Sequence, residues 1–499
     1  MIFDFDLGLE IHAQLKLKTK LFSPGSTDSQ KNSALGLLDI SLPGTLPRLN
    51  RRAIDQAVKA ALALNCEINL MSHFDRKHYF YLDMPLGFQI TQQDRPLGHS
   101  GSLSFRCPDE NGTAVTSQVA VQRLQVEQDS AKSIHDMHDL YSLIDFSRAG
   151  SALVEVVFSP SLRTPKQAAS VLATAQQLLR HIDVCNGNME DGSMRCDVNV
   201  SVARYEDNSG DGSQPRVLTQ GGRVEVKNLS SLQRVETAAT YEIGRHIDLL
   251  LAGEAIPRET RGFDATTEKT FSLRAKEDAV DYRFFPDPDL PPLVISPEEL
   301  DQYRVNMPEL PEETISRIMD VYKLNDYQVS VLFSLQVLRR FEAAMDMVDS
   351  TKKEKLAAIM FNWITTDLAG VCSFNNMSID EFPITVTQIY DIVCSIEQEQ
   401  LTSQQIKKIL ICLFEDEKLR SMSVQEIASK LGLVKVSDEA VLKNLCLQAI
   451  NDPKNAKELS KYRSGRLGMF NYFFGEVMKN SRGQADPIVV RSLLHSLLD

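Results

Sequence analysis

No two of the eight cysteines stand as C-x-x-C. That argues against a metal knuckle or a redox pair, and they read as reduced core thiols of a reducing compartment. No apolar run approaches the roughly 20 residues a membrane helix needs, so no membrane span is expected. The start, Met1 to Asp6, is acidic and has no basic leader, so no signal peptide is expected. An organelle presequence removed before this numbering would leave no trace. Positive charge is scarce: 54 Lys and Arg against 67 Asp and Glu give a net charge of −13. That argues against a general nucleic-acid binder and leaves room for a local basic patch. The G-x-x-x-x-G-K-[ST] phosphate loop, a G-x-G-x-x-G turn after a strand, and the kinase catalytic loop are all missing. Any nucleotide bound here sits on an unusual fold.

What is present reads as soluble and globular: 43% hydrophobic and 24% charged over 499 residues, enough for two to four domains. The first readable strand, residues 7–16, alternates cleanly. Leu9, Ile11, Ala13 and Leu15 point one way, and Glu10, His12, Gln14 and Lys16 the other. A carboxylate and an imidazole thus lie two positions apart, roughly 6.6 Å along one face. That spacing suits a shared metal or phosphate group; alone it is equally a solvated face carrying one His.

Later stretches repeat the pattern. Residues 121–129 put Arg123, Gln125, Glu127 and Asp129 on one face. Residues 152–158 form an apolar run broken by Glu155. A carboxylate there is costly unless paired or metal-bound, the other reading being an edge strand that exposes it. Residues 195–202 alternate, with Arg195, Asp197, Asn199 and Ser201 outward. A polar insertion, Glu206 to Gln214, precedes a strand in which Arg223, Glu225 and Lys227 oppose Val224 and Val226. Between these, Asn50 and Thr164 (with Pro165) are plausible helix caps, and a third helix carries Val235, Ala238, Ala239, Ile243 and Ile247. Residues 74–89 interleave Arg76, Lys77 and His78 with aromatics, which fits either base stacking or a strand with an aromatic core side.

If the alternating strands join one antiparallel sheet, their polar faces merge into an acidic floor. It holds Glu10, His12, Glu127, Asp129, Glu155, Asp197, Asn199, Glu225 and Lys227. Clustered carboxylates repel, so such a floor calls for a divalent cation or raised pKa values. Oxygen-rich sites favour Mg²⁺, the layout for metal-assisted phosphoryl transfer. Four prolines between Pro286 and Pro292 end this part of the chain. Everything from Pro297 onward reads as helices, with a weaker break at Leu431 to Asp438. The final stretch, Asp452 to Arg482, has seven Lys or Arg against three Asp or Glu, and carries Tyr462, Phe470, Tyr472, Phe473 and Phe474. It is either an RNA patch or an ordinary solvated helix face.

Taken together, several motifs resemble the B subunit of the tRNA-dependent amidotransferase that converts Glu-tRNA(Gln) to Gln-tRNA(Gln). They are Gly8-Leu9-Glu10-Ile11-His12, Leu42-Pro43-Gly44-Thr45-Leu46-Pro47, Asp75 to Tyr81, Arg195 to Ser201, Glu225 to Leu229, Asp281 to Leu290, Gly475 to Lys479 and Ala485-Asp486-Pro487. The resemblance covers essentially the whole chain. It implies an α+β protein: an antiparallel β-rich, cradle-shaped catalytic domain (1–293), an all-α helical domain (294–432) and a small all-α YqeY-like tail (433–499).

The implied reaction is that of an ATP- and Mg²⁺-dependent carbon–nitrogen ligase with glutamine as amido donor. The γ-carboxylate of the misacylated glutamate is phosphorylated, and ammonia then displaces phosphate. The resemblance gives Glu10, His12, Glu127 and Glu155 catalytic roles, with His12, Glu127 and Glu155 as metal ligands. Asp197, Asn199, Glu225 and Lys227 bind the nucleotide; Lys461, Arg463, Arg466, Lys479 and Arg482 hold tRNA. His is an unusual Mg²⁺ ligand, so His12 contacting phosphate stays open. The family usually reads Glu-Glu-Asp where this chain has Glu127-Gln128-Asp129. Parity favours Glu127 as the ligand; a ligand at the second position would be lost to Gln128.

Gly36 and Asp39 stand where bacterial members often carry a C-x-x-C zinc knuckle, so no structural zinc is expected. These departures suggest a mitochondrial matrix version, the alternative being bacterial cytoplasm. No amidase or glutaminase signature is present, which implies an amidase-type A subunit as ammonia source and a small C-type or fungal F-type third subunit. Two other readings compete: a non-enzymatic tRNA-presenting adaptor, which needs the tail but not the carboxylates, and a metal-dependent hydrolase on an acidic sheet.

Overall fold

A computed structural model describes residues 2–28, 35–109, 111–134, 137–138, 140–205, 217–275, 281–433, 438–464, 466–481 and 485–498. The insertion expected at Glu206 to Gln214 lies outside the described residues. The chain divides into two compact units, Met1–Pro311 and Glu312–Asp499.

The first unit is built on a ten-stranded sheet: Ile2–Gln14 (β1), Glu67–Ile68 (β2), Gly98–Pro108 (β3), Ala114–Gln128 (β4), Ala152–Phe158 (β5), Met194–Tyr205 (β6), Val217–Gln220 (β7), Val224–Leu229 (β8), Glu259–Asp264 (β9) and Lys269–Ala275 (β10). The order is β10-β9-β8-β6-β1-β5-β4-β3-β2, with β7 paired to β6. All pairs are antiparallel except β8 with β9, which the helix Leu232–Ala252 (α3) joins in parallel. A parallel pair needs such a crossover; a hairpin cannot make it. The strand of the first motif is therefore central, paired with β6 from Ile2 to Ala13 and with β5 from Glu10 to Gln14.

One face of this sheet is dry. Leu7, Leu9, Ile11 and Ala13 are fully buried, as are Val198, Val200, Val202, Val224 and Val226. Pro165–His181 (α2) and α3 pack on it through Ala168, Val171, Leu172, Leu179, Val235, Ala238 and Ala239. Thr164 accepts from the Gln167 amide and Pro165 opens α2, while Ser231 caps α3 by accepting from the Arg234 amide. Burying about a dozen aliphatic side chains, at roughly 1.5–3 kcal/mol each, fixes the strand parity. A one-residue slip would turn every one of them to water.

Arg51–Ala63 (α1), capped by Asn50, packs beside the sheet. Pro297–Val305 (α4) docks on it: Leu300 is buried, Tyr303 Oη donates to Asp55 Oδ1 at 2.6 Å, and Arg51 pairs with Glu299. The first unit thus extends past residue 293, because α4 finds its apolar partner there.

The second unit is all helical, from Pro311–Tyr322 to Pro487–Leu498. Its apolar interior forms two clusters, one between Ile318 and Leu433 and one between Leu442 and Leu498. The helical run Ser350–Phe374 corrects the reading of membrane-spanning segments. It is long and apolar enough to cross a membrane by length and composition, with a mean hydropathy of 1.3 in its most apolar window. Half of that window is buried inside the protein, with Met360, Ile364 and Leu368 fully enclosed in the first cluster. The protein is α+β, with a large mixed sheet in one unit and helices alone in the other.

Candidate active site

The opposite face of the sheet carries the polar residues, and register decides which of them meet. Gln125, Glu155, His12 and Arg195 lie side by side across β4, β5, β1 and β6. Glu10 and Asp197 pair one row further along, and Gly8, Asn199 and Glu225 the row after. Glu155 is on a central strand, and only 6% of it is exposed.

His12, Glu127 and Glu155 converge. One ligand atom from each lies within 4.8 Å of the others, the only such group of potential metal ligands among the described residues. His12 Nδ1 lies 3.1 Å from Glu127 Oε1. Glu127 also accepts from Thr91 Oγ1 at 3.2 Å. Gln125 Nε2 donates to Glu155 Oε2 at 2.9 Å and to Thr91 Oγ1 at 3.0 Å, bracing both carboxylates. Gln128 turns to the other side, its amide donating to the Phe88 carbonyl.

The electrostatics follow from crowding. Burial disfavours charge on His12, but the Glu127 hydrogen bond and the charges of Glu155, Glu127 and Asp197 outweigh it and raise the imidazole to about 9. Burial would raise Glu127, yet the His12 bond and charge, helped by Lys77, hold it at about 2. Glu155 is left over: burial and the neighbouring Glu127 charge push it up to about 7. An excess of buried negative charge meets one imidazolium, and a divalent cation would relieve it.

The remaining predicted residues form a second group on the same floor. Lys227 Nζ sits between Asp197 (3.0 Å) and Glu225 (2.8 Å). The Asn228 amide donates to Asp197 at 2.8 Å and Thr260 Oγ1 to Glu225 at 3.3 Å. Burial opposes the Lys227 charge, but the two carboxylates raise its pKa above the usual lysine range. Asn199 Nδ2 donates to Glu10 Oε1 at 3.0 Å. Glu10 is thus tied to Asn199 rather than to His12. Asp129 is held off the centre by Arg195 (2.8 Å) and Arg148 (3.3 Å).

Three further residues contribute: Thr91, which no sequence pattern marks, and Gln125 and Lys77, which the pattern places without giving either a role in the site. Thr91 comes from a separate strand, Phe88–Thr91, and no local pattern marks it. Gln125 shares the parity of Glu127 and was visible on that ground alone. Lys77, whose charge favours ionised Glu127, sits over the Tyr282 ring at 5.0 Å. Its neighbours in the basic–aromatic stretch are structural. Arg76 pairs with Asp287 and Asp289 at 2.8 Å each and covers the Phe88 ring at 4.3 Å, while His78 stacks on Phe285.

In the helical unit, Lys461 and Lys479 lie near Glu458 (3.4 Å) and Glu476 (3.8 Å), surface pairs worth little. Arg463 and Arg466 are exposed; Arg482 lies outside the described residues. Three of the aromatics expected beside them are not available to stack on bases. Tyr462, Phe470 and Phe473 are buried in the second apolar cluster, because helical spacing turns them inward.

Comparison with known proteins agrees along the whole chain. Residues 5–301 match the family model described as the GatB/GatE catalytic domain, and residues 346–498 the one described as the GatB domain. The chain is 41% identical over 494 residues to the B subunit of the mitochondrial glutamyl-tRNA(Gln) amidotransferase of Naegleria gruberi, covering 98% of this chain and 93% of that protein. It is 37% identical over 497 residues to the B subunit of the aspartyl/glutamyl-tRNA(Asn/Gln) amidotransferase of Orientia tsutsugamushi (strain Ikeda), covering 99% and 97%. A Rickettsia rickettsii (strain Sheila Smith) protein of the same name is 38% identical over the same length.

Proposed function

Because this chain belongs to the GatB family, we propose that it is the B subunit of a tRNA-dependent amidotransferase. Its reaction makes Gln-tRNA(Gln) from Glu-tRNA(Gln), with ATP as phosphoryl donor. The γ-carboxylate oxygen of the tRNA-bound glutamate attacks the terminal phosphorus of ATP, and ADP leaves. Ammonia then adds to the acyl carbon, the C–O bond to phosphate breaks, and inorganic phosphate departs with the amide formed. A carboxylate is a poor electrophile and an acyl phosphate a good one, so the first step makes the second possible.

The observation that carries this reading is the convergence of His12, Glu127 and Glu155, from three strands, on the polar face of one sheet. Two carboxylates would take a divalent cation, and Mg²⁺ with its waters fits a site that must also accept phosphate oxygens; His12, an imidazolium while it is hydrogen-bonded to Glu127, is left to contact phosphate rather than the cation. When bound, Mg²⁺ supplies positive charge against the triphosphate and the leaving phosphate. The chain's own residues do the rest. Glu127 and Glu155 would hold the cation, Gln125 and Thr91 fix the rotamers of these carboxylates, and His12, hydrogen-bonded to Glu127, would donate to the incoming phosphate. Lys227, clamped by Asp197 and Glu225, sets the spacing of the adjacent row, where Glu10 and Asn199 meet the nucleotide. Lys461, Arg463, Arg466, Lys479 and Arg482 are the candidate tRNA contacts.

Ammonia must come from a partner amidase-type A subunit, since free ammonia is protonated or lost to water. A small C-type or fungal F-type subunit completes the assembly. The mitochondrial relative supports a mitochondrial matrix setting.

The test is amidation of Glu-tRNA(Gln) by the purified complex. His12→Ala and Glu127→Gln should each cut ATP-dependent Gln-tRNA formation by roughly a hundredfold or more, with tRNA affinity near normal. Unchanged turnover would remove the enzymatic reading and leave an adaptor.

A further inference from the structure

The dry face of the sheet carries a polar island where α3 crosses the parallel pair β8–β9. Glu242 on α3 is fully buried, and four side chains converge on its carboxylate. Arg245 Nη2 lies 2.8 Å from Oε2, and Arg261 Nε 3.0 Å from Oε1. His246, also fully buried, brings Nε2 to 3.3 Å from Oε2, and Thr270 Oγ1 donates to Oε1. Arg261, on β9, is held further: Nη1 reaches Glu259 Oε1 at 2.7 Å, and Nη2 donates to the Thr270 carbonyl at 3.0 Å. Two acids thus meet two guanidinium groups between helix and sheet, on the face opposite His12.

Buried ion pairs are often no more stabilising than apolar side chains of the same size, so this island is better explained by what it specifies. Register is the property in need of a device here. A hairpin sets its register through its turn; a parallel pair joined by a long crossover has no such guide. Apolar alternation can supply one. In β8 it does, since Val224 and Val226 are fully buried on the dry face. In β9 it does not. Of its residues on that face, Glu259 and Arg261 are charged and only Phe263 is apolar. The pairing is three residues long: Val224 with Glu259, Glu225 with Thr260, and Val226 with Arg261. A slip of two residues would keep the parity of β9 and move it roughly 6.6 Å along β8. What opposes that slip is Glu242, which would lose Arg261 and stay behind with a buried charge less one partner.

The opposite face of β9 carries what that register positions. Thr260, next to Arg261, turns to the polar floor, where its Oγ1 donates to Glu225 Oε2 at 3.3 Å. Glu225 in turn holds Lys227, and Lys227 holds Asp197. We propose that Glu242 and Arg261 are positioning residues of the catalytic face: their buried ion pair fixes β9 against β8 and so holds Thr260 on Glu225. The use of that row for nucleotide rests on the amidotransferase reading; the register does not.

Glu242→Met with Arg261→Met, made in the full complex, tests it. The pair removes one acid and one base and leaves Arg245 to Glu259, which it already approaches at 3.4 Å. Should this double variant fail to fold, Glu242→Gln, which removes the charge and keeps the size, is read in the same way. Register is read without any ligand from nitroxide labels on Arg223→Cys and Arg258→Cys, exposed positions just before the Val224–Glu259 pair. Cys394→Ser and Cys412→Ser remove the two half-buried thiols that would also take label. The label separation should lengthen or spread in the double variant, and the Kd for Mg-ATP should rise roughly tenfold, the worth of one hydrogen bond to a carboxylate. Thr260→Val alone should raise the Kd equally and add nothing in the double variant, since both act through one bond; a general loss of stability would make the two effects add. An unmoved label separation, a Kd within twofold of wild type in either variant, or additive effects overturns the proposal. If instead the wild-type complex does not bind Mg-ATP, the amidotransferase reading fails, and the label separation alone decides whether Glu242 and Arg261 fix the register.

Discussion

Replacing Glu155 with glutamine should stabilise the metal-free protein while abolishing its chemistry. Burial and the Glu127 charge raise the Glu155 carboxyl from 4.5 to about 7 in the folded state. The unfolded chain releases that proton at the lower value. Between the two, folded protein holds a proton that unfolded protein has lost, so stability falls as pH rises from 4.5 and the loss is complete above about 7. At about 1.4 kcal/mol per pH unit, the ionised carboxylate costs the folded state about 3 kcal/mol at pH 8. Glutamine carries no charge and keeps an oxygen to accept the 2.9 Å bond from Gln125. It forgoes the 3.8 Å contact with Arg123, worth under ~1 kcal/mol for a partly exposed partner, and the attraction to His12 and Lys77, which burial and the Glu127 charge already outweigh in raising the Glu155 carboxyl. In EDTA at pH 8, Glu155→Gln should therefore melt several degrees above wild type, and the gap should largely close at pH 5. Added Mg²⁺ should raise the wild-type melting temperature and leave the variant unmoved. A variant no more stable than wild type at pH 8, or equally favoured at both pH values, would show that crowding of carboxylates is not what shapes this centre.

Two further outcomes are expected. Lys20 is fully buried and pairs with buried Asp39 at 3.1 Å; Lys20→Met should cost about 3–5 kcal/mol in urea unfolding by stranding a carboxylate, and adding Asp39→Leu should recover much of it. Reversing charge at Lys461, Arg463 and Arg466 should raise the KM for Glu-tRNA(Gln) at least tenfold and flatten its salt dependence, with the Kd for Mg-ATP unchanged; an unaltered KM would move the tRNA contacts elsewhere.

The contrast between Glu127 and Gln128 shows how far local pattern reaches. Alternation alone assigns them to opposite faces, and the sheet keeps that assignment because Val126 and Leu124 must be dry. The same logic made Glu10, His12, Glu155, Asp197 and Glu225 visible as polar-face residues before any pairing was known. Pattern failed where spacing has two solutions. Tyr462, Phe470 and Phe473 sit amid basic residues in the sequence yet turn into the core. Arg76 looked available to a ligand and is locked to Asp287, more than two hundred residues away. Thr91 and Lys77 reach the centre from segments with no periodic signal of their own.

Sequence by itself determined which side chains lie on the wet face of each strand, where helices begin, and which motifs this chain shares with its family. Period-two burial and backbone capping are local, so they can be read one segment at a time. Only tertiary structure decided which strands are neighbours, and at what register. That choice puts Glu155 opposite His12, leaves Glu10 with Asn199, and neutralises Asp197 and Glu225 through Lys227. Charge interactions depend on distance across strands, and that distance follows from how the whole sheet packs against α2 and α3.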